Sequence, residues 1–113
     1  MYKGTGTDNG TPSFTYTDYR LTFAVPTSAT GFTTMTLTIQ DNTGASVDVP
    51  VLTITLANFN SAGATYTITA ATNAGKTYTG TGTISATTAS LLLTETPTTG
   101  SALVYNFPSC AKQ

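Results

Sequence analysis

Threonine alternates with apolar residues over most of the chain, and this period of two predicts β-strands. Residues 76–85 show the pattern most plainly, with four threonine hydroxyls on one face of the segment. The opposite face consists of Tyr78, Gly80, Gly82 and Ile84. A face of the same type at the start of the chain consists of Tyr2, Gly4 and Gly6. Both segments therefore present an aromatic ring followed by two positions without side chains.

The alternation predicts eight strands, at residues 2–7, 14–25, 34–40, 47–56, 65–70, 76–85, 91–96 and 103–107. The second strand changes phase at Thr17-Asp18, which predicts a β-bulge or a break there. The fourth changes phase after Pro50, a residue that indicates a strand edge or a bulge. We expect residues 26–31 to form a loop and Pro108 to end the last strand.

The fold predicted from these segments is all-β, with about eight antiparallel strands in a single domain covering residues 1–113. Short connections between consecutive strands favour antiparallel hairpins. Eight such strands close into an up-and-down barrel or divide into a two-sheet β-sandwich. We prefer the barrel because glycines on one face permit sharp coiling of the strands.

The composition excludes several classes of function. Charged residues make up 8% of the chain and the net charge is −1, against about 25% charged residues in typical domains. The four basic residues form no stripe that would bind nucleic acid. No apolar run reaches the roughly 18 residues of a membrane-spanning helix. A threonine-rich chain with few charges is typical of secreted bacterial surface proteins, so we expect an extracellular or cell-surface location.

Candidate catalytic and metal-binding residues are few. The chain has no histidine and one cysteine, which excludes histidine-dependent triads and zinc sites. We therefore expect no enzyme, metal or cofactor. Asp8 and Asp41 lie in turn sequences, where carboxylates commonly cap the local backbone. Cys110 is expected in a C-terminal tail, as a free thiol or in an intermolecular disulfide.

Three polar residues, Lys3, Glu95 and Asn106, fall on the first, seventh and eighth predicted strands. They resemble a trio found in bacterial adhesin domains. In the adhesins, such a trio forms a Lys–Asn isopeptide bond assisted by the acid. The alternative, which we prefer, is a surface lysine, an exposed glutamate and an asparagine at a strand edge, since a buried charged trio requires an apolar shell.

The C-terminal third contains three strand sequences, at residues 78–85, 91–96 and 104–107, with Cys110 near the end. Together these segments resemble small lipocalin-like lipoprotein domains of the calycin type from bacterial surfaces. The resemblance implies a calycin-like barrel tethered outside the inner membrane. The chain departs from the pattern because it has no lipidated N-terminal cysteine.

The glycine faces suggest where a ligand would bind. If Tyr2, Gly4, Gly6, Tyr78, Gly80 and Gly82 point inward, two strands contribute backbone where a core normally has side chains. The remaining wall would consist of Phe23, Leu37, Ile54, Ile68 and Tyr105. The tyrosines either fill this space or leave a cavity, and an apolar cavity binds apolar guests.

The sequence therefore leads to a β-barrel that binds an apolar or amphipathic small molecule. The alternative is a structural adhesin module or filament subunit in which copies of the chain assemble through strand edges. Its motivation is the low charge, because charged side chains normally protect such edges. A third possibility is an ice-binding surface made of Thr-x-Thr ladders.

Overall fold

The computed structural model describes residues 1–24 and 33–113, and these residues form eight antiparallel strands that close into a barrel. The strands are β1 (Tyr2–Asp8), β2 (Thr15–Ala24), β3 (Thr34–Gln40), β4 (Leu52–Asn60), β5 (Gly63–Asn73), β6 (Lys76–Ile84), β7 (Thr88–Pro97) and β8 (Leu103–Lys112). The predicted all-β barrel is confirmed, and the sandwich alternative is wrong. Val25 and the predicted loop at 26–31 lie outside the described residues.

Consecutive strands pair in chain order, and β1 closes the barrel by pairing with β8. Tyr2, for example, lies opposite Leu21 on one side and opposite Lys112 on the other. None of the described segments forms a helix long and apolar enough to cross a membrane.

The alternation of side chains matches the two faces of the barrel wall. In β4, Leu52, Ile54 and Leu56 are buried, while the threonines between them are exposed. In β7, Leu91 and Leu93 are buried, whereas Leu92 between them is 46% exposed. A strict period of two therefore decides the direction of each side chain even within an all-leucine run.

Bulges shift the register at four places, in β2, β4, β5 and β8. In β2 the bulge falls at the predicted Thr17-Asp18 phase change, where Asp18 has a φ of 55°. In β4 the extra residue lies at Asn58, also with a φ of 55°, between the strands predicted at 47–56 and 65–70. The bulge in β5 follows Ile68, so Ala70 is exposed, whereas strict alternation from Tyr66 and Ile68 would place it inside.

Two further predictions about strands are wrong. Residues 47–51 are not a strand but part of a loop between β3 and β4, attached to β3 by an isolated bridge between Gln40 and Ser46. Pro50 has no N–H with which to continue a ladder. The last strand does not end at Pro108, because a register shift around Pro108-Ser109 lets β8 continue to Lys112.

The hairpin between β5 and β6 turns on two residues with positive φ, Ala74 at 52° and Gly75 at 78°. Both values fit a type I′ turn, which matches the twist of the paired strands. Glycine adopts this conformation without cost, but alanine in the left-handed region costs about 1–2 kcal/mol.

We predict that Ala74→Asn stabilises the protein, because asparagine tolerates the left-handed region better than alanine does. A gain of about 0.5–1 kcal/mol would raise the Tm by a few degrees in a chain of this size, measured by thermal unfolding. Ala86→Asn is the control, because Ala86 is also exposed in a connection but has no positive φ. A gain in the control and none at Ala74 would contradict this account of the turn.

Candidate functional site

Most of the residues predicted to surround a ligand lie in the barrel interior. Tyr2, Leu37, Ile54, Ile68 and Tyr78 are buried, and Phe23 and Tyr105 are partly buried against the same core. Gly80 and Gly82 face inward as well, but they do not border an empty space.

The position beside Gly82 is occupied by the ring of Tyr66. The two residues are direct partners across β5 and β6, and a Cβ on Gly82 would overlap the Tyr66 ring and the carbonyl oxygen of Ser90. The Tyr66 hydroxyl donates to that same carbonyl oxygen at 2.5 Å. Gly80 is covered in a similar way by its partner Ile68. The glycines of β6 therefore make room for larger neighbours.

The glycines of β1 serve the same purpose. A Cβ on Gly4 would lie 2.7 Å from the Cys110 sulfur, and one on Gly6 would lie 2.5 Å from the Phe107 ring. Cys110 is a free thiol that is fully buried within β8, so its expected position in a C-terminal tail is wrong. Burial also raises the pKa of the Cys110 thiol, which makes a reactive thiolate less available.

A cavity of about 210 Å³ remains at one end of the barrel, where the connections β1–β2, β3–β4, β5–β6 and β7–β8 meet. We call it the mouth cavity. It is lined by Tyr16, Tyr19, Ile39, Val47, Asp48, Val49, Lys76, Leu93, Glu95, Tyr105 and Phe107. Tyr105 is the one residue of the predicted site found in this lining.

The loop between β3 and β4 covers one side of the mouth cavity. Val47 and Val49 pack against the core, whereas Val51 points away and is 60% exposed. The Tyr78 hydroxyl donates to the Asp48 carbonyl oxygen at 3.1 Å and so attaches the loop to β6. Asp41 caps the start of the loop, accepting from the backbone of Thr43 and Ala45, as its turn sequence predicts.

Four aromatic rings form the opposite wall. Tyr16 lies 5.2 Å from Tyr19 and 5.5 Å from Tyr105, measured between ring centroids. Phe107 lies 6.0 Å from Tyr19. These distances are those of interacting aromatic pairs, so the wall is a continuous apolar surface with hydroxyl groups at its margin.

Asp8 fixes one of these rings. Its carboxylate accepts from the Tyr16 hydroxyl at 2.5 Å and from the backbone N–H groups of Gly10 and Phe14. The hydrogen bond from Tyr16, together with that from Gly10, lowers the pKa of Asp8. Asp8 therefore caps its turn, as predicted, and also orients an aromatic side chain of the cavity.

Glu95 brings a second carboxylate to the mouth cavity, and it is only 9% exposed. Its oxygens lie 3.5 Å from the Lys76 ammonium and 3.5 Å from the Tyr105 hydroxyl. The expectation of an exposed glutamate is therefore wrong. The expectation of an exposed glutamate arose because Glu95 lies between two threonines. Glu95 is nevertheless in phase with Leu91 and Leu93, so its side chain points inward.

The Lys–Glu–Asn trio is not assembled. Lys3 lies opposite Ala111 near one end of β8, whereas Asn106 lies opposite Thr7 near the other end of β1. Asn106 is exposed, while Glu95 faces the interior. An isopeptide bond between Lys3 and Asn106 is incompatible with this register.

Several lining residues were missed because they come from strand ends and from the covering loop. Tyr16, Glu95 and Lys76 are far apart in the chain and meet only after the barrel closes. One signal could have indicated them, since acids and tyrosines cluster at the ends of strands that meet at this mouth. Comparison with protein-family models, curated proteins and solved structures finds no significant match to this chain.

We predict that Gly82→Ala destabilises the protein by about 1–3 kcal/mol, because the added methyl group overpacks an occupied interior. Chemical denaturation measures the change, and the outward-facing Thr81→Val, on the same strand, should be nearly neutral. If Gly82→Ala were as stable as the wild type, the space beside Gly82 would have to be open.

Burial also determines how the tyrosines ionise. Burial first, and then the charge of Glu95, raises the pKa of Tyr78 and of Tyr105 to about 12. Burial likewise raises the pKa of Tyr16 and of Tyr66. The folded-state pKa values of these tyrosines lie above the ordinary tyrosine pKa of about 10. The neutral phenols therefore stabilise the folded protein, and this stabilisation is fully present below pH 10.

We therefore expect this stability to be lost as the pH rises from about 10 through about 12. An absorbance titration of tyrosinate should show ionisation in the native protein lagging behind that in urea-unfolded protein. Coincident titration curves would contradict the buried positions of these rings.

Proposed function

We propose that the protein binds a small apolar or amphipathic molecule in the mouth cavity. The observation that carries this proposal is the shape and chemistry of the cavity itself. A concave, mainly apolar lining with a few converging polar groups is the usual form of a small-molecule site. Here four aromatic rings and Leu93 supply the apolar surface, and Glu95, Asp48 and Lys76 supply the polar groups.

The size of the cavity limits the ligand. A cavity of about 150 Å³ with apolar walls can hold benzene, and the mouth cavity measures about 210 Å³. The ligand would therefore be about one ring with a short substituent. In the described part of the barrel, Ile68 and Tyr66 already occupy the space beside Gly80 and Gly82, so a long acyl chain fits poorly.

The resemblance to lipocalin-like surface lipoproteins agrees with this proposal, since those domains are barrels open at one end. We extend the proposal to an extracellular or cell-surface location and to a binding protein, not an enzyme. The support for the location is the threonine-rich, weakly charged composition.

The structural alternative, assembly through strand edges, is less well supported. Both β1 and β8 have neighbours on each side within the described residues. A closed barrel presents no edge strand along its length to which another copy could add. An ice-binding surface is also disfavoured, because the outward threonines of β3, β4, β5 and β6 follow a curved wall.

The test is an NMR titration with three one-ring compounds of different charge, namely 2-phenylethylamine, 2-phenylethanol and phenylacetate. We predict that at least one of them binds with a Kd below about 1 mM, equivalent to roughly −4 kcal/mol. The largest shifts should occur at Leu93, Phe107 and Val49.

Val49→Trp should abolish this binding, because the larger side chain fills the cavity from the covering loop. Val51→Trp is the matched control, since Val51 lies in the same loop and points to solvent. Failure of all three compounds to bind, or equal binding to both tryptophan variants, would overturn the proposal.

A further inference from the structure

We propose that the ligand of the mouth cavity is a small organic cation, specifically a primary or secondary ammonium attached to a body of about one ring. This inference rests on the proposed small-molecule function and adds the chemical class of the ligand. The group that selects the cation is the carboxylate of Glu95.

Glu95 is a buried carboxylate whose contacts with the protein are long. Within the described chain, its two oxygens approach Lys76 and Tyr105, each at 3.5 Å. The hydroxyl of its cross-strand partner Tyr78 also interacts with Glu95, but this hydroxyl donates to the Asp48 carbonyl oxygen. A well-formed hydrogen bond to a carboxylate is about 2.5–2.9 Å long. A carboxylate removed from water and weakly bonded is costly, so a ligand that brings N–H donors to Glu95 gains free energy.

Two other hydroxyl groups near the cavity favour a ligand that donates hydrogen bonds. The Tyr16 hydroxyl already donates to Asp8 at 2.5 Å, and the Tyr78 hydroxyl donates to the Asp48 carbonyl oxygen at 3.1 Å. These two hydroxyl groups are therefore not available to donate to an anionic ligand or to a ligand that accepts hydrogen bonds. A donor ligand meets acceptors, because the carboxylate of Glu95 and the backbone of Asp48 are both part of the cavity surroundings, although the Asp48 residue itself is exposed.

The lysine at the rim indicates where the cation would lie. Lys76 places its ammonium 3.5 Å from Glu95, so this carboxylate already has a cation as its neighbour. The Lys76 side chain is 37% exposed and flexible, and it can move toward solvent when a ligand ammonium takes its place. Lys76 is then a competitor for the ligand and not its binding partner.

The aromatic wall suits the remainder of such a ligand. Tyr16, Tyr19, Tyr105 and Phe107 border the same cavity as Glu95. Aromatic rings attract an organic cation through their quadrupoles and also cover its apolar body. The residues around the cavity include two acids, Glu95 and the exposed Asp48, and one lysine, so the surroundings carry a net negative charge.

The inference is tested by the order of affinities of the wild-type protein for the three one-ring compounds. We expect 2-phenylethylamine to bind about tenfold or more tightly than 2-phenylethanol, and phenylacetate to bind most weakly. If none of the compounds binds, the small-molecule function itself fails. If phenylethanol or phenylacetate binds as tightly as the amine, the function stands and the inference about charge is overturned.

Two substitutions should change the affinity for the amine in opposite directions. Glu95→Gln should remove most of the preference for 2-phenylethylamine over 2-phenylethanol while preserving the cavity. Lys76→Met should strengthen amine binding by about threefold or more, because the competing ammonium is gone. Loss of amine binding in Lys76→Met would show that the lysine binds the ligand, which contradicts the proposal.

Asp18→Asn is the control for net charge. It removes the same single charge as Glu95→Gln, but Asp18 is exposed at the β2 bulge and does not border the cavity. Its φ of 55° suits asparagine equally well. A similar loss of amine preference in both variants would mean that overall charge, and not Glu95, controls binding.

Discussion

The interior width of an eight-stranded barrel is the constraint on which this structure depends. Such a barrel is just wide enough for its inward side chains to fill. A large ring from one strand must therefore meet a small residue on the next. Tyr66 faces Gly82, Ile68 faces Gly80, and Phe107 covers Gly6. Without these glycines, the rings could not remain inside a wall of this radius.

The phenol groups explain why the interior is filled unevenly. Tyr2, Tyr66 and Tyr78 are buried, and each donates its hydroxyl to a backbone carbonyl oxygen far away in the sequence. Tyr66 fills the space beside β6, while Tyr78 reaches the covering loop. Asp8 holds Tyr16 against the opposite wall. The rings around the mouth are thus fixed by polar contacts, and the space between them remains as a cavity.

The fold could be predicted from the sequence because one pattern operates in nearly every strand. Alternating threonine identified the strands, and the phase change at Thr17-Asp18 located a bulge correctly. Residues 47–51 of the strand predicted at 47–56 are not a strand, because alternating valines do not by themselves provide a neighbouring strand with which to pair. The bulge after Ile68, which exposes Ala70, leaves no trace in residue type and could not be predicted.

The site was less predictable for a physical reason. Whether a side chain points into the barrel can be inferred from the alternation along its strand. The level along the barrel axis at which two inward side chains meet depends instead on strand tilt and stagger. Glu95 and Tyr16 belong to strands separated by most of the chain, and no local pattern relates them. The glycine faces pointed correctly to the interior, yet the packed space beside the glycines and the open mouth could not be distinguished from residue types alone.

The glycine faces are packed, while the mouth of the barrel is open. Diffraction from crystals under xenon pressure tests this difference, because xenon enters apolar cavities. We expect a xenon atom in the mouth cavity, near Leu93 and Phe107, and none beside Gly80 or Gly82. Xenon beside those glycines, or an empty mouth at saturating pressure, would contradict this description of the interior.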